Sequence, residues 1–320
     1  MQCEFMQVNT NAFSKFCRRH YYTNCIYKTQ FSFYDAKMKT IMLFASVLLL
    51  SSSVYANCFS PITKKFKDGP GIAKGSLKGH CIDTVQALPV QILSRSDDTL
   101  VLKNVKSKGM HGVLVMHPTK DLVETIFHRE RFAPKWIAAH TQVRLKFKTG
   151  SLHWYKSEAD LRNVGIPDHV FSDLLLSIEA VGEEGYQYGL LEGAENHFAL
   201  VYHAINQDDK VKSSINEEHN TINQWAFNFS RQQGIEFLNR FIARSEKKGL
   251  NEMYNTITKN CTNELFRTLN AMAEKPSHFS HFDLGRSSLP IIAPGILQSH
   301  GFIPEKAMLD LNVEVGSPFL

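Results

Sequence analysis

The stretch Met253–Phe266, MYNTITKNCTNELF, joins an extended segment to the start of a helix. The fold predicted for the surrounding chain depends on this junction. Asn260 or Cys261 is the expected N-cap residue, and Glu264 stands at the N3 position counted from Cys261, where capping-box residues occur. Four apolar residues then fall on one face of the predicted helix: Leu265, Phe266, Leu269 and Met272. The pattern therefore predicts a cysteine at the N-terminus of an amphipathic helix.

A cysteine in this position has a specific chemical consequence. The first amide N–H groups of a helix have no intrahelical acceptor, and together with the helix dipole they favour a thiolate over a thiol. The same amides can form an oxyanion hole. We therefore take Cys261 as a candidate nucleophile, with Asn260 and Thr262 as candidate oxyanion or positioning residues. Spacing alone leaves open the alternative of a buried, unreactive cysteine.

An apolar run over Ile41–Leu50 predicts a targeting segment. Met38 and Lys39 precede the run and a small-residue stretch ending in Ala56 follows it, which is the order found in a cleavable secretory signal peptide. The run is too short to span a bilayer as a helix, and an uncleaved anchor is the alternative. We expect residues 1–37 to be an upstream extension absent from the mature protein, residues 38–56 to be the signal peptide, and the protein to be periplasmic.

Three cysteines remain after the predicted signal peptide: Cys58, Cys81 and Cys261. In an oxidising compartment two of them can pair, which leaves one thiol over. Cys58 and Cys81 share one Gly- and Pro-containing stretch, so a short loop can join them, whereas Cys261 lies far away in the sequence. Whether Cys58 and Cys81 pair is left open by the spacing.

Composition narrows the class of protein. Hydrophobic residues make up 43% and charged residues 21% of the chain, which excludes a disordered, collagen-like or coiled-coil protein. The net charge of +5 is scattered rather than gathered on one face, so we expect no nucleic-acid partner. The sequence has no Gly-rich phosphate loop, HExxH or GxSxG motif, and we expect neither a cofactor nor a metal.

Hydrophobic patterning predicts the order of secondary structure. Short apolar runs and alternating segments predict strands over residues 90–93, 99–102, 112–116, 140–147, 174–181, 199–205 and 225–229. Other segments predict a short helix over 121–131, a helix or loop over 157–164, a helix from Ser230 to Gly249 and an extended tail over 289–295. Because strands and helices do not alternate, the predicted fold class is α+β, an antiparallel sheet packed with helices.

The segment around Cys261 resembles a known family. Tyr254-Asn255-Thr256 followed by Asn260-Cys261-Thr262-Asn263 is similar to the motif of the Lnb N-terminal periplasmic domain family, formerly a domain of unknown function. Supporting stretches are Ala139-His140-Thr141, Ser177-Ile178-Glu179 with Gly185-Tyr186 and Gly189-Leu190, and Ala293-Pro294-Gly295 with Gly301-Phe302-Ile303. The resemblance covers residues 135–305. It implies a circularly permuted papain-like, NlpC-type thiol hydrolase core, in a family with at least one branch that acylates lipoproteins.

The resemblance also implies roles for individual residues. His140 is the implied general base, and Glu179 is the implied third member that orients its imidazole. The sequence departs from the family pattern in two places, and neither removes the nucleophile. Lys148–Asp173 separates the two strands by more than the family pattern leads us to expect, which weakens the pairing of His140 with Glu179. Thr-Asn follows the cysteine where the family has paired threonines. The implied organisation is a strand-rich region over 57–134, a catalytic domain over 135–305 and a C-terminal tail over 306–320.

Other histidines offer weaker alternatives. His197 and His203 flank one predicted strand on the same face, but about 20 Å of strand rise separates them, so both cannot contact one thiol. His278 and His281 are three residues apart, and nothing near them in the sequence completes a metal site.

Two classes of function are compatible with these features. The first is an exported thiol hydrolase or acyltransferase that attacks an ester or amide of an envelope lipid, a lipoprotein or a peptidoglycan peptide. The second is a non-catalytic envelope binding domain, with four aromatic residues lining a ligand groove: Trp154, Tyr155, Tyr186 and Tyr188. A metal-dependent hydrolase is a distant third. The sequence leaves open the acceptor, peripheral contact with the membrane, and the oligomeric state.

Overall fold

The computed structural model describes residues 57–72, 75–136, 138–186, 188–272, 274 and 278–317. The predicted upstream extension over 1–37 and the predicted signal peptide over 38–56 lie outside these residues. Residues from Ala56 onward belong to one compact unit, so the strand-rich region before residue 135 and the segment after it share one structure.

An eleven-stranded sheet is the centre of the part of the chain that the structure describes. Its continuous path runs β12-β6-β7-β10-β11-β4-β5-β8-β9, with β13 paired to β11 and β3 paired to β4. The pairings are antiparallel apart from β11 with β4, which run parallel. The strands are β1 (Cys58–Ser60), β2 (Lys65–Lys67), β3 (Gln91–Arg95), β4 (Leu100–Ser107), β5 (Met110–Met116), β6 (Leu122–Arg131), β7 (Ala139–Phe147), β8 (Leu152–Tyr155), β9 (His169–Phe171), β10 (Asp173–Val181), β11 (Phe198–Asn206), β12 (Thr221–Ala226) and β13 (Met253–Tyr254).

Helices cover this sheet and connect its strands, and the α+β class predicted from the sequence is confirmed. The α-helices are α1 (Pro118–Asp121), α2 (Glu158–Asn163), α3 (Leu190–Ala194), α4 (Gln207–Lys210), α5 (Arg231–Lys248), α6 (Cys261–Asn270), α7 (His281–Arg286), α8 (Ala293–Ser299) and α9 (Leu311–Glu314). Shorter turns are two 3₁₀ helices, Gly75–Leu77 and Pro290–Ile292, and a π-helix over Val211–Glu217.

The two faces of the sheet differ in chemistry. One face carries apolar side chains such as Val143, Leu176 and Tyr202, and helices α5 and α6 pack on it to form the main core. Helix α5 buries Leu238 and Phe241 there after a capping box at Ser230, as its 3.6-residue periodicity predicts. Side chains alternate along each strand, so polar residues of the same strands point to the opposite face.

Strand register aligns the polar groups in two rows across β6, β7, β10 and β11. One row contains Glu130 opposite His140 on β7 and Glu179 opposite Val201 on β11. The next row contains His128, Gln142, Ser177 and His203. Residues that are far apart in the sequence therefore lie side by side on one surface.

The long segment between the predicted histidine and glutamate strands does not separate them in space. It forms β8, α2 and β9, which extend the far edge of the sheet beyond β5. Helix α2 begins after Ser157, whose side chain accepts a hydrogen bond from the Asp160 amide. Strand β10 then returns to pair directly with β7, so the insertion leaves the two strands adjacent.

Two predicted elements are wrong. The helix expected over 121–131 is strand β6, because pairing with β7 on one side and β12 on the other outweighs the ambiguous local pattern. The tail expected to be extended over 289–295 forms the Pro290–Ile292 turn and the start of α8. Pro294 fits there because the first turn of a helix needs no amide donor from it.

Two other segments differ from their predictions in detail. The last predicted strand, 225–229, is shifted toward the N-terminus and occupies Thr221–Ala226. The Gly- and Pro-containing stretch after residue 57 contains the small β1–β2 sheet. A disulfide joins Cys58 to Cys81 in this stretch, which settles the pairing that spacing had left open.

The position of Glu264 is also corrected. The capping box of α6 uses Asn260 and Asn263, so Glu264 is not the N3 residue. Its carboxylate is instead fully buried against α5, where it accepts hydrogen bonds from Arg244 at 2.5 Å and Lys248 at 2.9 Å. Arg267 and the Tyr202 hydroxyl contact the same carboxylate. This cluster of charges ties the helix that carries Cys261 to α5 and the sheet.

We expect Glu264→Gln to lower the free energy of unfolding by about 1.5–3 kcal/mol, because it removes the charged acceptor shared by three partly buried cations. Chemical denaturation monitored by circular dichroism measures the change. Glu158→Gln is the matched control, since the Glu158–Arg162 pair on α2 is exposed and contributes about 0.5 kcal/mol or less. Equal losses in the two variants would contradict a structural role for the Glu264 cluster.

Candidate active site

Asn260 fixes the start of α6 and with it the position of Cys261. Its Oδ1 accepts a hydrogen bond from the Asn263 amide at 2.9 Å. Its Nδ2 donates to the Thr256 carbonyl at 2.7 Å and to the Ser288 carbonyl at 3.0 Å. Both amide hydrogens are therefore used, and the Asn260 side chain is a positioning group rather than an oxyanion donor.

Cys261 is the first residue of α6 and is 1% exposed. The N-terminal end of α6 lies against the start of β7, where the Thr262 and Thr141 hydroxyl oxygens are 3.1 Å apart. Thr262 Oγ1 lies 3.9 Å from the Cys261 sulfur, and His140 and Thr141 lie close enough to the sulfur to lower the pKa of the thiol. The predicted nucleophile and base are therefore brought together.

A serine links the histidine to the glutamate. His140 Nε2 lies 2.6 Å from Ser177 Oγ, and Ser177 Oγ donates to Glu179 Oε1 at 2.6 Å. Nε2 is also 3.4 Å from Glu179 Oε1. Because Nε2 is engaged on this side, Nδ1 is the ring nitrogen left for the sulfur. Three side chains therefore form a hydrogen-bonded relay from the carboxylate to the imidazole, next to the thiol.

Electrostatics favour the charged form of this relay. Burial disfavours a charged imidazole, but the Glu179 carboxylate and the Cys261 sulfur raise the pKa of His140 well above its usual value. Burial likewise opposes ionisation of Glu179 and Cys261. The His140 charge nevertheless holds the pKa of Glu179 well below its usual range, and His140 with Thr141 lowers the pKa of Cys261. The site therefore favours a thiolate–imidazolium pair.

Two backbone amides at the start of α6 have no intrahelical acceptor. The amides of Cys261 and Thr262 precede the first intrahelical hydrogen bonds, and the cap takes the Asn263 amide. A carbonyl oxygen placed above the helix end would meet these amides and the positive end of the dipole. The Thr262 side chain is turned toward Thr141 and positions the helix on β7.

Cys261, His140 and Glu179 line a cavity of about 580 Å³. Apolar residues in the cavity wall include Phe132 and Leu289, and Tyr188 and Tyr254 also line it. The cavity continues across the polar face of the sheet to groups carried by β4, β11, α4 and the π-helix. Its volume is large enough for a small organic ligand or a segment of a larger one.

The alternative histidines do not contact Cys261 together. His197 is partly exposed and pairs with Glu195 at 3.7 Å, while His203 is buried in β11, in the wall of the same cavity as His140. His278 and His281 are both exposed. Among the described residues, no three His, Cys, Asp or Glu side chains are arranged to hold a metal ion.

The aromatic groove expected for a binding domain is not assembled. Tyr188 lines the cavity and Tyr186 is 42% exposed, but Trp154 and Tyr155 are buried in the sheet, 0% and 5% exposed. The Trp154 indole donates to the Val105 carbonyl at 2.9 Å. The four residues therefore do not form one ligand-facing surface.

Sequence reasoning missed two members of the site. Ser177 belongs to the family-like stretch Ser177-Ile178-Glu179, and its alternation with Glu179 along one strand places both side chains on the same face. Thr141 follows His140, and its contacts with the sulfur depend on where α6 docks. Only the first of these two roles had a signal in the sequence.

The fold and site together define an α+β protein with a buried cysteine–histidine–glutamate cluster in the wall of a cavity. Residues 126–289 match the family described as the Lnb N-terminal periplasmic domain. This match covers half of the 320-residue chain, and the chain therefore belongs to that family. No curated protein and no solved structure matches it significantly. Within the described ranges, no helix has the length and apolar character needed to cross a membrane.

We expect Cys261 to be alkylated by iodoacetamide with an apparent pKa below the value of about 8.5 for a free cysteine. His140→Ala should raise that apparent pKa above the free-cysteine value, because burial then acts without the imidazolium. Alkylation rates from pH 5 to 10, followed by mass spectrometry, measure both. His197→Ala, a histidine outside the cavity, is the control and should match wild type. An unshifted apparent pKa in His140→Ala would exclude the ion pair.

Ser177→Ala should raise the apparent pKa of Cys261 by less than His140→Ala does. The change removes the 2.6 Å link to Nε2 but leaves the 3.4 Å approach of Glu179. Loss of a hydrogen bond to a charged group predicts about a tenfold slower alkylation at pH 7. The same pH series measures it, and an alkylation profile identical to wild type would show that Ser177 is not part of the relay.

Proposed function

We propose that this protein is an exported thiol enzyme that forms an acyl-thioester at Cys261. The observation that carries the proposal is the His140–Ser177–Glu179 hydrogen-bond chain beside a buried Cys261, whose pKa the His140 charge lowers. A thiol needs a neighbouring histidine base of this kind to become a useful nucleophile. The chain of side chains therefore supports an enzyme over a binding domain.

The proposed reaction begins when the Cys261 thiolate attacks an ester or amide carbonyl. The oxyanion that forms would be stabilised by the Cys261 and Thr262 amides, and His140 would donate its proton to the leaving alcohol or amine. The thioester then passes its acyl group to water or to an amine acceptor. His140 would take the proton from that second nucleophile, so hydrolase and acyltransferase share every group described.

The finer fold assignment is also a proposal. A nucleophile at the N-terminus of a helix, packed on an antiparallel sheet whose neighbouring strands carry the histidine and the carboxylate, is the arrangement of papain-like NlpC-type enzymes. Here His140 and Glu179 precede Cys261 in the sequence, which fits a circularly permuted version of that core. The order of elements β7, β10 and α6 supports this assignment.

The substrate is proposed to lie in the cell envelope. The family is described as a periplasmic domain, and the Cys58–Cys81 disulfide fits an oxidising compartment. The cavity has an apolar wall at Leu289 and a charged side at Lys106 and Lys210, so it can accept an acyl chain or a peptide. Comparing lipids, lipoproteins and peptidoglycan between a wild-type strain and a strain lacking the protein distinguishes these substrates.

Incubation with an activated ester such as p-nitrophenyl acetate should add one acyl group to Cys261, detected by intact-mass and peptide mass spectrometry. Cys261→Ala should show no adduct, because the other two cysteines of the described chain form a disulfide. His140→Ala should acylate about a hundredfold or more slowly. His197→Ala should behave as wild type. Labelling of Cys261 only after unfolding would exclude the enzyme proposal.

A further inference from the structure

Two lysines line the cavity, and their charges are compensated to different extents. Lys210, the last residue of α4, forms an ion pair with Glu130 at 2.8 Å. Lys106 lies on β4 and forms no ion pair with any residue that the structure describes. Charged groups in partly buried positions are normally paired. An unpaired ammonium in the wall of a cavity therefore needs an explanation.

Neutral backbone groups hold the Lys106 ammonium in place. Nζ donates to the Val85 carbonyl at 2.7 Å and to the Gln86 carbonyl at 3.3 Å. An ammonium carries three hydrogens, so one of them has no acceptor among the described residues. The side chain is partly exposed, and a molecule in the cavity can therefore reach it.

The pKa values of the two lysines move in opposite directions. Lys210 is the more deeply buried, yet the Glu130 carboxylate raises its pKa against the effect of burial. Burial lowers the pKa of Lys106, and carboxylates at longer range, Asp209 foremost, offset this only in part. The charge of Lys106 is thus the less compensated of the two.

The carboxylates that act on this ammonium have other hydrogen-bond partners. Asp209 accepts from the Gly109 amide at 2.8 Å. Glu179 accepts from the Ser177 hydroxyl at 2.6 Å and belongs to the relay described above. Asp83 accepts from backbone amides of its own turn. None of them is an ion-pair partner held ready for the ammonium.

The position of Lys106 in the sheet separates it from the reacting groups. Lys106 is paired in register with Ile205 on β11, and both residues line the cavity. Strands β10 and β11 lie between β4 and the β7 strand that carries His140. Glu218, a carboxylate of the same wall, comes just before β12 on the other side of β7. Lys106 therefore meets a part of the ligand other than the carbonyl that Cys261 attacks.

We propose that Lys106 binds an anionic group, a carboxylate or a phosphate, on the substrate whose carbonyl Cys261 attacks. The inference rests on the proposed function of Cys261 and narrows its substrate class. It selects a substrate that carries a negative charge away from the reacting carbonyl over one that is neutral there. Lys106 is then a specificity-determining residue, and a bound anion supplies the charge that the fold leaves out.

Electrophilic probes with different tails test this inference without a known substrate. We would use N-alkyl chloroacetamides, in which the Cys261 sulfur displaces chloride, with a series of linker lengths and a tail that is a carboxylate, a phosphonate or a neutral carboxamide. At the best linker length, labelling should be about tenfold faster for an anionic tail than for the carboxamide. The second-order rate is measured by mass spectrometry, and the faster of the two anions identifies the group that the site prefers.

Three variants complete the labelling experiment. Lys106→Met should label at the wild-type rate with the carboxamide probe but lose the preference for an anionic tail, whereas Lys106→Arg should retain most of it. Lys103→Met is the matched control, because it removes a lysine of the same strand that is not part of the cavity wall. A general attraction of the protein for anions would fall equally in the two methionine variants, so the preference should persist in Lys103→Met.

A binding measurement tests the anion site independently of the thiol. Acetamide analogues of the same probes lack the leaving group and are titrated into Cys261→Ala by isothermal titration calorimetry. The analogue with the preferred anionic tail should bind about tenfold more tightly than the carboxamide. Adding Lys106→Met to this variant should abolish the difference.

The outcomes separate the two proposals. Equal rates and equal affinities for anionic and neutral tails would overturn the role of Lys106 while leaving the thiol enzyme intact. An anionic preference that survives in Lys106→Met would also overturn it. Failure of every probe to label native Cys261, with selective anion binding retained in Cys261→Ala, would contradict the proposed function and not the anion site. Melting temperatures establish that each variant is folded before rates and affinities are compared.

Discussion

The Asn260 cap is the constraint on which the site depends. The Asn260 side chain caps the start of α6 through the Asn263 amide. It also bonds to the carbonyls of Thr256, in the segment after β13, and of Ser288, and so holds these two segments at the helix end. Because Cys261 is the next residue, the cap leaves the sulfur at the helix end, where the free amides lie. Without that cap the first turn of α6 would not be held against the start of β7, and neither Thr141 nor His140 would meet the sulfur.

Buried charge is the second organising feature, and in each case it is compensated within the protein. On the apolar face, Glu264 forms ion pairs with three cations and links α6 to α5. On the polar face, Lys210 lies close enough to Glu130 and Glu179 to stabilise both carboxylates. The pKa of Lys210 is accordingly raised although burial opposes its charge. The thiolate–imidazolium pair thus forms in surroundings that already hold ionised groups in place.

Local patterns predicted elements well where the local and tertiary preferences agree. Helix α5 has a good N-cap at Ser230 and an apolar stripe, and its bounds of 231–248 match the prediction closely. The prediction for β6 failed because Leu122, Ile126 and Phe127 fit both a helical and a strand period. Only pairing with β7 and β12 decided between the two. The prediction for the segment after Leu289 failed because prolines at the start of a helix look in sequence like those of an extended segment.

The sequence by itself determined the α+β class, the cysteine at a helix start, the family motif and the candidates His140 and Glu179, because each is carried by a short run of neighbouring residues. Only the tertiary structure decided that Ser177 joins the histidine to the carboxylate, that Asn260 positions rather than donates to an oxyanion, and that His203 faces the cavity. These facts depend on strand register and helix docking. A register is set by the packing of whole faces against the core, and a shift of one residue would turn Ser177 and His203 to the other side of the sheet.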